Sequence, residues 1–144
     1  MNDKPRILIV DDDPIVAESL GDYLRREGYA AATACDGSEA LNMLESANHA
    51  VGANSDVRFG LVIADMNMPR CDGIELLKKI RKQFSSVAVI IITGFGKIES
   101  AVESIKLGAV EYLTKPIIDD ELKIAVGKAL QQHALLAENQ TLRS

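Results

Sequence analysis

The chain has 144 residues, 47% of them hydrophobic and 26% charged, with a formal net charge of −5. That length suits one domain burying roughly two thirds of its unfolded surface, so neither disulfide nor metal is needed for folding, and the hydrophobic share excludes wholesale disorder. No run of about 18 apolar residues is present to span a membrane, and the acid excess, with 4% aromatics and no Trp, argues against nucleic-acid binding.

Arg6-Ile7-Leu8-Ile9-Val10 is a short β-branched run and reads as a buried strand. Asp13-Pro14 follows as an N-cap with proline at the first helical position. Val16, Leu20, Tyr23 and Leu24 recur at helical spacing until Gly28 closes that helix. Ala30 to Ala34 is a weaker second strand. Asp36-Gly37-Ser38-Glu39 opens a second helix, with Glu39 placed to complete a capping box with Asp36. Ser46 to Arg58 holds Gly, Asn and Ser without a period. It is expected to be a surface loop, long for a helix-to-strand connection and without a function of its own.

Leu61-Val62-Ile63-Ala64 is the third strand and ends at Asp65. Ile74, Leu77, Ile80 and Phe84 mark the third helix. Val87 to Ile92 is unbroken apolar sequence, as in a strand covered on both faces. Ile98, Ala101, Val102 and Ile105 keep helical spacing in the fourth helix, which stops at Gly108. Glu111-Tyr112-Leu113-Thr114 is the fifth strand, and a last helix runs from Asp119 toward the C-terminus. Strands alternating with helices predict an α/β fold: a doubly wound, five-stranded parallel sheet flanked by five helices.

In such a sheet, ligands bind beyond the carboxyl ends of the strands. Asp11, Asp12 and Asp13 follow the first strand, and Asp65 and Asn67 follow the third. The fourth ends in Thr93-Gly94 and the fifth in Lys115-Pro116. Singly, each has an ordinary explanation: Asp13 as an N-cap, Asp65 as a turn cap before Pro69, a strand-end Thr or Lys as structural or solvated. Together they ask for more. Clustered carboxylates repel one another, and a divalent cation relieves that. Oxygen ligands without a nearby His or Cys suit a hard ion, Mg²⁺ above all. Lys115 adds a positive charge and Thr93 a hydroxyl donor, groups that suit phosphoryl oxygens. A carboxylate at the centre can act as nucleophile and form an acyl phosphate.

The ordered set Asp11-Asp12, Asp65 in IADMNMPRCDG, Thr93 in IIITG and Lys115 in EYLTKP resembles the receiver domain of two-component response regulators, the CheY-like family. The resemblance covers Arg6 to Gln132. It implies a flavodoxin-like strand order, 2-1-3-4-5, with the acidic residues at the topological switch point. Asp65 is then the phosphoacceptor for a sensor histidine kinase. Asp12 binds Mg²⁺ directly, Asp11 largely through water, and Asp65 and the backbone carbonyl of Asn67 complete the protein's share. Thr93 and Lys115 contact the phosphoryl oxygens, and the Lys115-Pro116 bond is cis. Tyr112 falls where the family places its rotating switch aromatic; its plainer reading is a half-buried strand residue. Asn67 and Phe95 flank the path of hydrolytic water, with Gly94 leaving room; Phe95 reads equally as a contact residue. Phosphorylation shifts helix four and strand five and changes contact with the protein's own effector domain or a downstream protein. On this reading the chain is a signalling acceptor, not an enzyme, beyond self-catalysed phosphotransfer and autodephosphorylation.

Leu130 to Arg143 is polar apart from Leu130, Leu135, Leu136, Leu142 and alanines, with Leu135 and Leu142 one heptad apart. It resembles the linkers that follow receivers in NtrC-type transcriptional activators. The expected organisation is a receiver over 1–130 and a helical extension over 131–144, which supports a homodimer and leads into a longer protein. Cys35 and Cys71 form no metal-spaced pair and read as reduced thiols. With no signal-peptide architecture, that points to a cytoplasmic location. Two other classes compete. A haloacid-dehalogenase-type phosphatase would use the first Asp of Asp11-Asp12-Asp13, but Ile15 stands where that motif has Thr or Val, and Asp65 to Pro69 is left unexplained. A phosphorylation-independent interaction module would have no need of the full set of site groups.

Overall fold

The computed structural model describes residues 5–49, 59–68, 72–94 and 98–143. Among them, β1 (Arg6–Val10), α1 (Pro14–Arg26), β2 (Ala31–Ala34), α2 (Gly37–His49), β3 (Phe59–Asp65), α3 (Gly73–Gln83), β4 (Ala88–Thr93), α4 (Ile98–Lys106), β5 (Glu111–Thr114) and α5 (Asp119–Arg143) follow in order. The strands form one parallel sheet in the order β2-β1-β3-β4-β5. The expected architecture and strand order are therefore present.

Alternation along the strands builds two cores, because successive side chains leave a strand on opposite faces. Leu8, Val10, Val62, Ala64, Val89 and Ile91 point to one face and pack with Leu44 of α2 and Leu76, Leu77 and Ile80 of α3. Ile7, Ile9, Leu61, Ile63, Ile90 and Ile92 point to the other and pack with Leu24 of α1 and Leu122, Val126 and Ala129 of α5. Every residue of β3 and β4 is buried, as the unbroken apolar run in β4 predicted. Each fully buried Leu or Ile contributes about 1.5–3 kcal/mol relative to exposure.

Local signals set the helix ends. Asp13 Oδ1 accepts the Ile15 N–H at 3.0 Å, with Pro14 at the first helical position. Gly28 and Gly108, with φ of +96° and +111°, follow α1 and α4 in the left-handed region that other residues avoid. Asp36 Oδ1 accepts the Glu39 N–H at 2.8 Å, while Glu39 Oε1 reaches back past Asp36 to the Cys35 N–H at 2.7 Å.

One expectation is corrected. Ser46 to His49, read as the start of the Ser46–Arg58 loop, are the last turn of α2. Ala40, Leu44 and Ala47 are all buried, at i, i+4 and i+7, so the apolar face that holds α2 on the sheet continues past Ser46. Small polar residues around Ala47 hid that face. Residues 50–58 lie outside the described residues, as do Pro69, Arg70, Cys71 and Phe95.

Helix α4 departs from the usual burial of an apolar stripe. Val102 and Ile105 are 47% and 48% exposed, whereas Ser104 is fully buried, its Oγ donating to the Ser100 carbonyl at 2.9 Å. The strand beneath it, β5, is an edge strand, so α4 rests on a narrow support and part of its apolar side stays outside.

Candidate functional site

Strand register gathers the polar strand ends. Val10 pairs with Ala64, so Asp11 emerges beside Asp65. Asp65 pairs with Ile92, and Thr93 pairs with Thr114, which brings Lys115 in just beyond Thr93. The Lys115 N–H donates to the Thr93 carbonyl at 2.8 Å, and the Lys115-Pro116 peptide is cis. Residues far apart in sequence thus meet on one rim, at the point where the strand order reverses between β1 and β3.

The three consecutive aspartates divide their work. Asp11 is 4% exposed, and its Oδ1 accepts the Asp13 N–H at 2.9 Å. Asp12 is exposed, and Asp13 turns away to cap α1. Asp65 is buried at the end of β3, and its Oδ1 accepts the Asn67 N–H at 3.1 Å. Asp11, Asp12 and Asp65 can each offer a carboxylate oxygen, all within 4.8 Å of one another. Asp13 does not join that group.

Lys115 closes the cluster from β5. Its Nζ lies 3.2 Å from Asp65 Oδ2 and 3.5 Å from Asp11 Oδ2. Burial pushes the Asp11 carboxyl above the usual range and the charge on Asp65 adds to that, although the Asp13 N–H and the Lys115 charge pull it back in part. Burial works to lower the lysine, but the charges of Asp11 and Asp65 outweigh it and hold the ammonium above its ordinary value. One ammonium therefore faces two buried carboxylates, with the exposed Asp12 beside them. That donor set is all oxygen and carries excess negative charge, which fits a hard divalent cation.

Thr93 is fully buried, and its Oγ1 accepts from Asn67 Nδ2 at 3.4 Å. That contact was not legible in the sequence. A Cβ added to Gly94 would meet nothing within 4 Å, so there is open space beside Thr93. Tyr112 is partly buried against the core, and its hydroxyl is enclosed without a hydrogen-bond partner among the described residues.

Sequence reasoning also left Asp72 and Gly73 without roles. Asp72 caps α3 by accepting the Glu75 N–H at 2.8 Å. Gly73 donates to the Met66 carbonyl at 3.0 Å, and a Cβ there would stand 2.7 Å from the Asp65 carbonyl oxygen. The Asp-Gly pair ahead of an apolar-periodic stretch was the available signal.

Residues 7–127 match the family described as response regulator receiver domain. The chain belongs to this family. Receivers of this family are signalling domains of two-component response regulators. The transcriptional regulatory protein FixJ of Bradyrhizobium diazoefficiens is 34% identical to this receiver over 142 residues, covering 99% of this chain and 64% of FixJ. The C4-dicarboxylate transport transcriptional regulatory protein DctD of Pseudomonas aeruginosa is 35% identical over 138 residues, 96% of this chain and 28% of DctD. This receiver thus spans less than two thirds of the length of either relative. A solved receiver domain protein from Clostridium thermocellum matches with a TM-score of 0.79 at 33% identity, over 92% of this chain and 98% of that one. Among the described residues, no helix of this receiver is long and apolar enough to cross a membrane.

Proposed function

We propose that this receiver accepts a phosphoryl group from a sensor histidine kinase on Asp65, with Mg²⁺ held at the acidic cluster. One observation carries the reading. Asp65 is buried on the ligand rim with Lys115 Nζ 3.2 Å from its Oδ2 and oxygens of Asp11 and Asp12 within 4.8 Å of its own. A carboxylate so placed is a nucleophile already surrounded by the charges that an incoming phosphoryl group needs.

In the transfer, an Asp65 carboxylate oxygen attacks phosphorus. The new O–P bond forms as the P–N bond to the donor's imidazole breaks, and the electron pair leaves with that nitrogen. Lys115, paired with Asp65 and Asp11 at rest, moves its ammonium onto a phosphoryl oxygen. Thr93 offers its hydroxyl to another, and Gly94 leaves the space that the group occupies. Asp12 would bind Mg²⁺ directly, Asp11 mainly through water, and Asp65 and the Asn67 carbonyl would complete the set. The bound ion would offset the carboxylates and draw negative charge from the phosphoryl oxygens. The excess charge around Asp11 supports that assignment.

Thr93 and Tyr112 form the switch. When the Thr93 hydroxyl turns toward the phosphoryl group, the space beside Tyr112 changes, and its enclosed hydroxyl, with no partner to give up among the described residues, loses little by moving with it. The thinly supported α4 and the edge strand β5 then shift, changing contact with an effector domain or a downstream protein. FixJ, DctD and GlrR are named as transcriptional regulatory proteins, which supports a role in a cytoplasmic transcription regulator; the resemblance of the tail to NtrC-type linkers supports that type. The α5 extension past residue 130 supports a homodimer. The phosphatase reading is not favoured, since Asp13, the second Asp of its motif, is committed to capping α1.

Incubation with acetyl phosphate and Mg²⁺, read by intact mass, tests the assignment. Wild type gains one phosphoryl group; Asp65→Asn, which keeps the size and loses the nucleophile, gains none while retaining its circular dichroism spectrum. Labelling of Asp65→Asn at a comparable rate would overturn the assignment.

A further inference from the structure

Helix α5 keeps one face on the sheet for most of its described length. Leu122, Ala125, Val126 and Ala129 are buried at helical spacing, and the next position on that face is His133. A polar ring at the end of an apolar stripe needs a partner, and His133 has one. Its Nδ1 lies 2.7 Å from the carbonyl oxygen of Ser86, in the turn between α3 and β4. A carbonyl only accepts, so Nδ1 carries the proton and donates it. The contact also needs room beneath the ring. A Cβ on Gly60 would stand 2.8 Å from His133 Cδ2 and 2.6 Å from Pro5 Cβ, so the glycine in β3 clears the seat. Two residues further on, Leu135 is 57% exposed.

The turn that His133 grips is one end of a rod. Arg81, in the last turn of α3, donates to the Ser85 and Val87 carbonyls at 3.0 and 3.1 Å and fixes that turn. The other end of α3 begins at Gly73, which leans on the Asp65–Met66 backbone. We propose that His133 is a clamp: it sets the direction in which α5 leaves the receiver and ties the tail, through α3, to the backbone that carries Asp65. The clamp stands on these contacts alone. Its link to the site rests on the phosphoacceptor reading.

Amide hydrogen exchange of residues 134–143 in the full chain tests both parts. Without phosphodonor, His133→Ala exchanges about fivefold faster there than wild type, the loss expected for one hydrogen bond. Gly60→Ala, which displaces the ring from below, does the same, and His133→Gln, whose amide reaches the same carbonyl, stays near wild type. Equal exchange in wild type and His133→Ala overturns the clamp. With acetyl phosphate and Mg²⁺, exchange of the wild-type tail changes on labelling and that of labelled His133→Ala does not. A labelled wild type with an unresponsive tail, or an equal response in His133→Ala, overturns the link. Failure of wild type to label sinks the phosphoacceptor reading and the link with it, while the comparison without donor still decides the clamp.

Discussion

The middle of the sheet and its β5–α4 flank are built on opposite plans. In β3 and β4 every residue is buried, and helices cover both faces. On the flank, β5 is only partly buried, α4 leaves Val102 and Ile105 half out, a serine takes its buried position, and Tyr112 encloses a hydroxyl without a partner among the described residues. The centre carries the stability and fixes the register that assembles the site. The flank has little to lose by moving, so it is the part of the fold in which a second arrangement costs least.

The sharpest way to break this contrast is in the centre. Ile90 is fully buried in β4. Ile90→Ala should cost about 2–5 kcal/mol through lost burial and the cavity left behind. Urea unfolding measures it, and a cost under about 1 kcal/mol would contradict a centre packed this way.

The second effect lies where the central strands end. The folded pKa of Asp11 is raised above its ordinary 3.8 by burial, with Asp65 adding to it. The folded protein therefore keeps a proton that the unfolded chain has released in the window above 3.8, and stability falls as pH rises through that window. The penalty is absent below 3.8 and grows as pH rises above it. In EDTA, Asp11→Asn should then have a higher urea midpoint than wild type at pH 7, and the gain should vanish below pH 3.8. Added Mg²⁺ should raise the wild-type midpoint more than the mutant's. Equal midpoints at pH 7 would mean that the cluster carries no such penalty.

The smallest effect belongs to the flank. Tyr112→Phe removes a buried hydroxyl without a partner among the described residues, so it should stabilise the resting protein by about 1 kcal/mol. A loss of stability instead would show that the hydroxyl has a partner in solution and that the flank is better satisfied than its contacts indicate.

Much of this protein was legible in the sequence because the deciding forces were local. The β-branched run Arg6–Val10 read as a buried strand, the apolar run of β4 announced a strand covered twice, and Asp13-Pro14 and Gly108 marked helix ends through backbone chemistry within a few residues. The strand-end rule then named Asp11, Asp12, Asp65, Thr93 and Lys115 as neighbours, without distances. The end of α2 was missed because a single alanine, Ala47, carries its apolar face among small polar residues, and a weak period gives way to turn chemistry when read alone. Only the tertiary structure could show that Asp11 lies beside Asp65 through the pairing of Val10 with Ala64, that Asn67 rests on Thr93, that α4 buries Ser104 rather than Val102, and that His133 seats over Gly60. Each of these depends on which segments are stacked against one another. Periodicity and caps act over a turn or two of chain, whereas these contacts join positions separated by tens of residues, and their geometry exists only once the sheet has closed its register.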